Sequence, residues 1–220
     1  MIFIDNSNFF NSIRKLRDIG EDRRIDYYKL NSFIIKFLSN NPQYKGELLK
    51  HIRTYYYDGE YTDNIIQKIR YHLNSIPILP ENQEEISAVK ETLERTERKK
   101  DAQKENMNKM KSFYFFEVRL KPLQYTKTQG IFQKGVDVQL AVDLVSNAYM
   151  NNYDIAVVFS GDIDLYESLK LVKTLGKQVI VFSHDNLMSE GMIEVCDFYK
   201  DISKLKKEQL DEFTHIFQER

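Results

Sequence analysis

The sequence predicts an α/β fold, with a central, mostly parallel sheet and helices on both faces. Two observations carry this. Short apolar runs alternate with longer segments of helical periodicity, the pattern of strand–helix–strand units. Several of these runs are almost continuously apolar, as strands covered on both faces must be, where a half-exposed strand would alternate.

Strands are expected at Ile2–Asp5, Ile52–Tyr57, Phe113–Leu120, Asp154–Phe159 and Gln178–Phe182. Helical patterns fill the gaps at Asp26–Ser39, Asp63–Asn74, Glu84–Met110, Val136–Met150, Leu165–Leu175 and Ser203–Phe217. There is no internal repeat and no Gly/Ser linker, and with only 8 Gly and 4 Pro little of the chain is punctuated as loop. Residues 1–185 are expected as the main domain and residues 186–220 as a C-terminal helical extension packed on it.

Composition narrows the function classes. The chain is 42% hydrophobic with 14 Phe and 14 Tyr, enough for a substantial core. The net charge of -1 gives no overall basic signal, so a nucleic-acid footprint has to be a local patch. A lone Cys196 excludes an internal disulfide framework and a cysteine metal cluster. No apolar run approaches the ~18 residues of a membrane helix, and no secretory pattern opens the chain. The expected setting is the reducing cytoplasm, with no membrane partner.

The stretch Glu81–Lys111 is dense in Glu, Lys and Arg around a thin apolar seam of Ile86, Val89, Leu93, Met107 and Met110. It reads as a solvated helix held by i,i+4 pairs such as Glu91–Arg95. Its later half, where Arg95, Arg98, Lys99, Lys100, Lys104, Lys109 and Lys111 outnumber acids, also suits a phosphate backbone.

The acids stand where a parallel sheet binds ligands, outside the carboxyl ends of its strands. Asp5 ends the first strand, in "IFIDNSNFF"; Ser160, Gly161, Asp162 and Asp164 follow "IAVVF"; Asp137 lies in the first turn of a helix, in "QKGVDVQLAVDL". Carboxylates gathered in one crevice repel each other and take up protons unless a cation intervenes. A hard divalent ion resolves the conflict, because Mg²⁺ takes oxygen ligands from a few carboxylates, water and phosphate. With no thiolate cluster and no HExxH, zinc is disfavoured. Mg²⁺ or Mn²⁺ held by such carboxylates would activate water and offset charge on a scissile phosphate, with Asp5 delivered as a ligand by the first strand and Asn8 orienting a neighbour. Each residue also has a plainer use: Asp5 as a helix cap, Asp162 and Asp164 as turn residues, Asp137 as a favourable first-turn acid. Asp143, about six residues beyond Asp137, is rotated away from it on the helix and reads as a buried hydrogen-bonding partner.

In order along the chain, "FIDNSN", "YYYDG", "FFEVRLKPL", "KGVDVQLAVDLV", "YDIAVVFSGDIDL" and "LGKQVIVFS" resemble the NYN domain of the PIN-like nuclease superfamily. The resemblance covers about Ile2 to Ser183, and its most specific part is "KGVDV" followed about two dozen residues later by "SGDID". It implies a Rossmann-like three-layer α/β/α sandwich and metal-dependent RNA cleavage. The acids it carries over are Asp5, Asp137, Asp162 and Asp164, with Asn8 and Ser160 beside them and Asp143 as a secondary candidate. Leu165 stands where the family often has Phe.

On the substrate side, Lys134 precedes the Asp137 helix, and a helix N-terminus beside a lysine suits phosphate. Arg119, Lys121 and Lys127 flank the same segment, with Tyr125 and Phe132 interleaved as base-stacking or sheet-packing aromatics, and Arg14 extends the basic rim. The expected partner is single-stranded or structured RNA. The alternatives are a nuclease acting on DNA and a module that binds RNA or protein without cutting. A haloacid-dehalogenase-type phosphatase is disfavoured, since Ser7 stands where its second Asp belongs. The charged helix and the C-terminal helix are the expected surfaces for a homodimer.

Overall fold

The computed structural model describes residues 1–16 and 23–216. Strand β1 (Ile2–Asp5) runs directly into helix α1 (Asn6–Lys15), and β2 (Arg23–Ile25) precedes α2 (Tyr27–Ser39). Next come β3 (Thr54–Glu60), α3 (Asp63–Ser75), the long α4 (Gln83–Met110), β4 (Phe116–Pro122) and a hairpin of β5 (Gln124–Thr126) and β6 (Gly130–Phe132). Helix α5 (Val136–Tyr149), β7 (Ile155–Phe159), α6 (Tyr166–Thr174) and β8 (Gln178–Ser183) follow. The chain continues through α7 (Glu190–Val195), β9 (Phe198–Asp201), α8 (Lys207–Asp211) and β10 (Thr214–Ile216).

Six strands form one sheet in the order β4-β3-β1-β7-β8-β9, and every pairing in it is parallel. From β1 the chain moves outward through β3 and β4, then returns to the other side of β1 with β7. The crevice between β1 and β7 is therefore the switch point, where doubly wound sheets bind ligands.

Side chains alternate across the sheet and build two cores. Ile2, Ile4, Val157 and Phe159 pack with Phe9 and Ile13 of α1, Leu30 and Ile34 of α2, and Leu210 of α8. Phe3, Ala156 and Val158 face the other way, toward Val136, Leu140 and Leu144 of α5 and Leu169 of α6. These layers make the three-layer α/β/α sandwich. A smaller third cluster joins α3, α4 and the β5–β6 hairpin through Ile65, Ile69, Val89, Tyr125 and Ile131.

The strands at Ile52–Tyr57 and Phe113–Leu120 sit a few residues later than expected, at β3 and β4. The expected helix at Ser203–Phe217 forms only over α8; Thr214–Ile216 is a strand paired with β2, and Phe217 lies outside the described residues. Helix α4 forms as expected, but its charges pair with α3, through Arg70–Glu97 and Lys100–Asp63. Among the described residues Arg95 has no ion pair, with Glu91 or any other acid.

Candidate active site

The loop after β1 assigns each of its polar residues a separate task. Asp5 caps α1, its Oδ1 accepting from the Asn8 amide at 3.2 Å and from Ser7 Oγ at 2.9 Å. Asn6 Nδ2 donates to Asp58 Oδ2 at 2.8 Å, at the end of the neighbouring β3. Asn8 Oδ1 accepts the Gly161 amide at 3.2 Å, from the loop after β7 on the other side. Ser160 Oγ donates to Asp5 Oδ2 at 3.2 Å and accepts the Asp162 amide at 3.3 Å. Asp162 in turn accepts the Asp164 amide at 3.1 Å. Three adjacent parallel strands are thus stitched together at their carboxyl edge, and the capping roles and the gathering of acids are served by the same atoms.

Asp5 and Ser160 point to the face covered by α5, since each lies two residues beyond a side chain of that core, Phe3 and Val158. Helix α5 packs against β1, β3 and the 163–165 turn. A short connection from its end into β7 places that end at the amino edge of the sheet, so Asp137, in its first turn, starts at the carboxyl edge. Gly135 caps the helix at φ 77 without a side-chain bond, and Lys134 before it is exposed. Asp143 stands about 9 Å further along the helix from Asp137. It accepts from Tyr57 Oη at 3.0 Å, in the register of Asp5, and lies 3.8 Å from Arg119 Nε. Asp143 is thus half-buried between Tyr57 and Arg119.

The basic candidates disperse. Arg119 is engaged within the protein, 2.8 Å from Glu117 and with its guanidinium over the Tyr55 ring. Lys121 lies next to the end of β4, in register with Gly59. Lys127 lies on the hairpin and donates to Ser75 Oγ at 3.0 Å. Arg14 is in the last turn of α1, beside Phe10, away from the acids at that helix's start. Tyr125 packs into the third cluster and bonds His72, while Phe132 lines a surface cavity with Tyr61 and Lys99.

Electrostatics mark Asp5 as the centre. It is 8% exposed, and burial lifts its carboxyl above the ordinary range; the Asp162 charge pushes the same way, while Ser7, the Asn8 amide and Ser160 pull back. Asp58, not among the candidates drawn from the sequence, is also lifted by burial, with Asp5 adding to the effect. Its donors are Asn6, Tyr56 Oη at 2.9 Å and the Gly59 amide at 2.8 Å. The signal for Asp58 was an acid ending the apolar run "TYYYD", the same signature as Asp5.

Among the described residues no group of three or more His, Cys, Asp or Glu is arranged to hold a metal ion. The donor set nevertheless fits a hard cation. Its acids offer oxygen ligands, Asp5 is within reach of the charge of Asp162, and Mg²⁺ needs as few as one or two carboxylates beside water and phosphate.

A family model of the NYN domain matches residues 1–203. The chain belongs to the NYN domain family. NYN domains are part of the PIN-like nuclease superfamily; they are generally nuclease-like, and PIN-like nucleases typically use divalent metals. The matched residues of this NYN domain run through β9. Among solved structures it is similar to a protein of unknown function from Vibrio parahaemolyticus, at 16% identity over 97% of this chain and 94% of that one, with a TM-score of 0.49. No curated protein matches it. Among its described residues no helix is long and apolar enough to cross a membrane.

Proposed function

We propose that this NYN domain is a metal-dependent endoribonuclease. The observation that carries the reading is that Ser160 Oγ links the buried Asp5 carboxylate to the Asp162 amide at the switch point, with the Asp162 charge acting on Asp5. Asp5 and Asp162 would hold a Mg²⁺ or Mn²⁺ ion, with Asp137 and Asp164 extending the acidic rim. When bound, such an ion supplies positive charge opposite the scissile phosphate and acidifies water. The chain's own groups do the positioning. Ser160 and Ser7 fix the two oxygens of Asp5, Asn8 locks the β7 loop against α1, and the amide end of α5 beside Lys134 faces phosphate. Hydrolysis adds water across one P–O bond of the RNA, the leaving sugar oxygen taking a proton. The lone Cys196 agrees with a reducing, cytoplasmic setting.

The test is a panel of labelled RNAs and DNAs incubated with Mn²⁺, Mg²⁺ or EDTA, wild type beside Asp162→Asn. RNA cleavage that needs metal and disappears in the variant is the expected result. Cleavage of DNA alone would change the substrate. Tight RNA binding without cleavage of anything would make the protein a binding module.

A further inference from the structure

A second feature opens on the same sheet edge. A cavity of about 230 Å³ lies between α4 and the β5–β6 hairpin, walled by Tyr61, Phe132, Arg95, Lys99, Leu123 and Gln133. It is tied to the acids through Gly59, the neighbour of Asp58. A Cβ on Gly59 would fall 2.3 Å from Leu123 Cδ2 and 3.3 Å from Gln133 Oε1, so the end of β3 presses on the cavity wall. From Gln133 the chain continues through Lys134 and Gly135 into the first turn of α5, which carries Asp137.

The cations are aimed by a deliberate anchor. Gln103 donates through Nε2 to the Gly59 carbonyl at 2.7 Å, and its Oε1 accepts the Tyr61 amide at 3.0 Å. Arg95, Lys99 and Gln103 are spaced by four residues and share one face of α4, so fixing Gln103 fixes the stripe. Lys99 Nζ lies 3.3 Å from Tyr61 Oη and 5.6 Å from the centre of its ring. One turn of the same helix pairs Lys100 with Asp63, whereas Arg95 has no ion-pair partner among the described residues.

We propose that this cavity is a subsite for one nucleotide of a single-stranded RNA whose scissile phosphate lies at the acids, which rests on the nuclease reading above. Tyr61 and Phe132 offer ring faces to a base, and Arg95 and Lys99 meet the adjoining phosphates, the pairing of stacking platform and cationic track that single strands require. The volume is below the roughly 300–1,000 Å³ of small-molecule pockets, which suits one unit of a polymer anchored elsewhere. The subsite sets how far from the cut the enzyme feels its substrate.

The experiment measures binding of labelled RNA in an Asp162→Asn background, where the strand stays intact. The probes are an oligouridine long enough to reach from the acids to the cavity and a dinucleotide that is not. Phe132→Ala is expected to weaken the long strand by about 10-fold or more and to leave the dinucleotide unchanged. Arg95→Glu with Lys99→Glu, on an exposed helix face where folding is not at stake, is expected to do the same. Loss of two phosphate contacts also lowers the slope of log K against log salt by about 1.4. Unchanged long-strand affinity in both variants overturns the subsite. A wild type that cleaves RNA while the cavity variants bind as before removes the subsite and keeps the nuclease. Cavity-dependent binding in a chain that cleaves nothing keeps the subsite and removes the nuclease.

Discussion

The Gly161 amide donates to Asn8 Oδ1 across 3.2 Å, so the turn that carries Asp162 is fastened to the first turn of the helix that Asp5 caps. Asn8→Ala removes this fastening and leaves both acids in place. The expected outcome is a roughly 10–100-fold loss of metal affinity or cleavage, as for other groups that orient ligands without binding the ion. Mn²⁺ titration of activity checks it; an alanine variant with wild-type response would leave Asn8 as a turn residue only.

Gly161 itself has no room for a side chain. A Cβ there would fall 2.2 Å from the Leu187 carbonyl oxygen and 2.7 Å from Ser183 Oγ. The first of these is backbone and cannot swing aside. Gly161→Ala is expected to lose about 1–3 kcal/mol of stability and most activity, read from urea midpoints and cleavage rates. Gly59→Ala meets side-chain atoms of Leu123 and Gln133 and no backbone, so its loss in the same melt is expected to be smaller.

Asp5 gives a pH prediction whose sign follows from burial. Its carboxyl is held above the unfolded value, which is near 3.9, so the folded chain takes the proton first as pH falls. Ionised Asp5 therefore opposes folding above its folded pKa, and that opposition fades as pH drops through the folded pKa toward the unfolded one. Asp5→Asn keeps an acceptor for Ser7 and the Asn8 amide. It is expected to melt higher than wild type at neutral pH without metal, with the gain shrinking toward about pH 4. Mn²⁺ should raise the melting temperature of wild type and not of the variant. A variant that melts lower at neutral pH would contradict this account.

Asp58 is expected to behave as a support. Asp58→Ala leaves the donors of Asn6, Tyr56 and Gly59 without their carboxylate, and a buried unsatisfied group costs about 1–3 kcal/mol. Asp58→Asn retains an acceptor and should lose less. Denaturant midpoints of the two variants, compared side by side, decide it; equal losses would argue against the network.

The features of the fold differ in how far they are legible in the sequence. The strands of the central sheet were legible because burial on both faces makes them apolar throughout, as in "IAVVF" and "QVIVFS". Strand β9, "FYKD", lies at the sheet edge and carries no such run. The β2–β10 ladder joins residues almost 200 positions apart, as Arg23 with Ile216, and nothing local announces it. In the site, acids at strand ends were visible as acids at strand ends. Asn6 acquires meaning only once β1 and β3 are neighbours and Asp58 is within its reach. Arg119, a candidate cation for phosphate in the sequence, has Glu117 and Asp143 beside it in the fold.

Strand β9 also bears on how the protein is best produced. It covers the outer edge of β8, whose Val179–Phe182 segment is buried, and its own short length and Lys200 discourage further pairing. A gene trimmed after residue 185, where the last strong apolar run has ended, would strip that cover and present a row of unpaired amides and carbonyls between two apolar faces. Such a fragment is expected to collect in inclusion bodies while a chain carried through β10 stays dispersed, a contrast that size-exclusion chromatography would reveal. Insolubility of the short version would then report a badly placed stop codon, not a property of the protein.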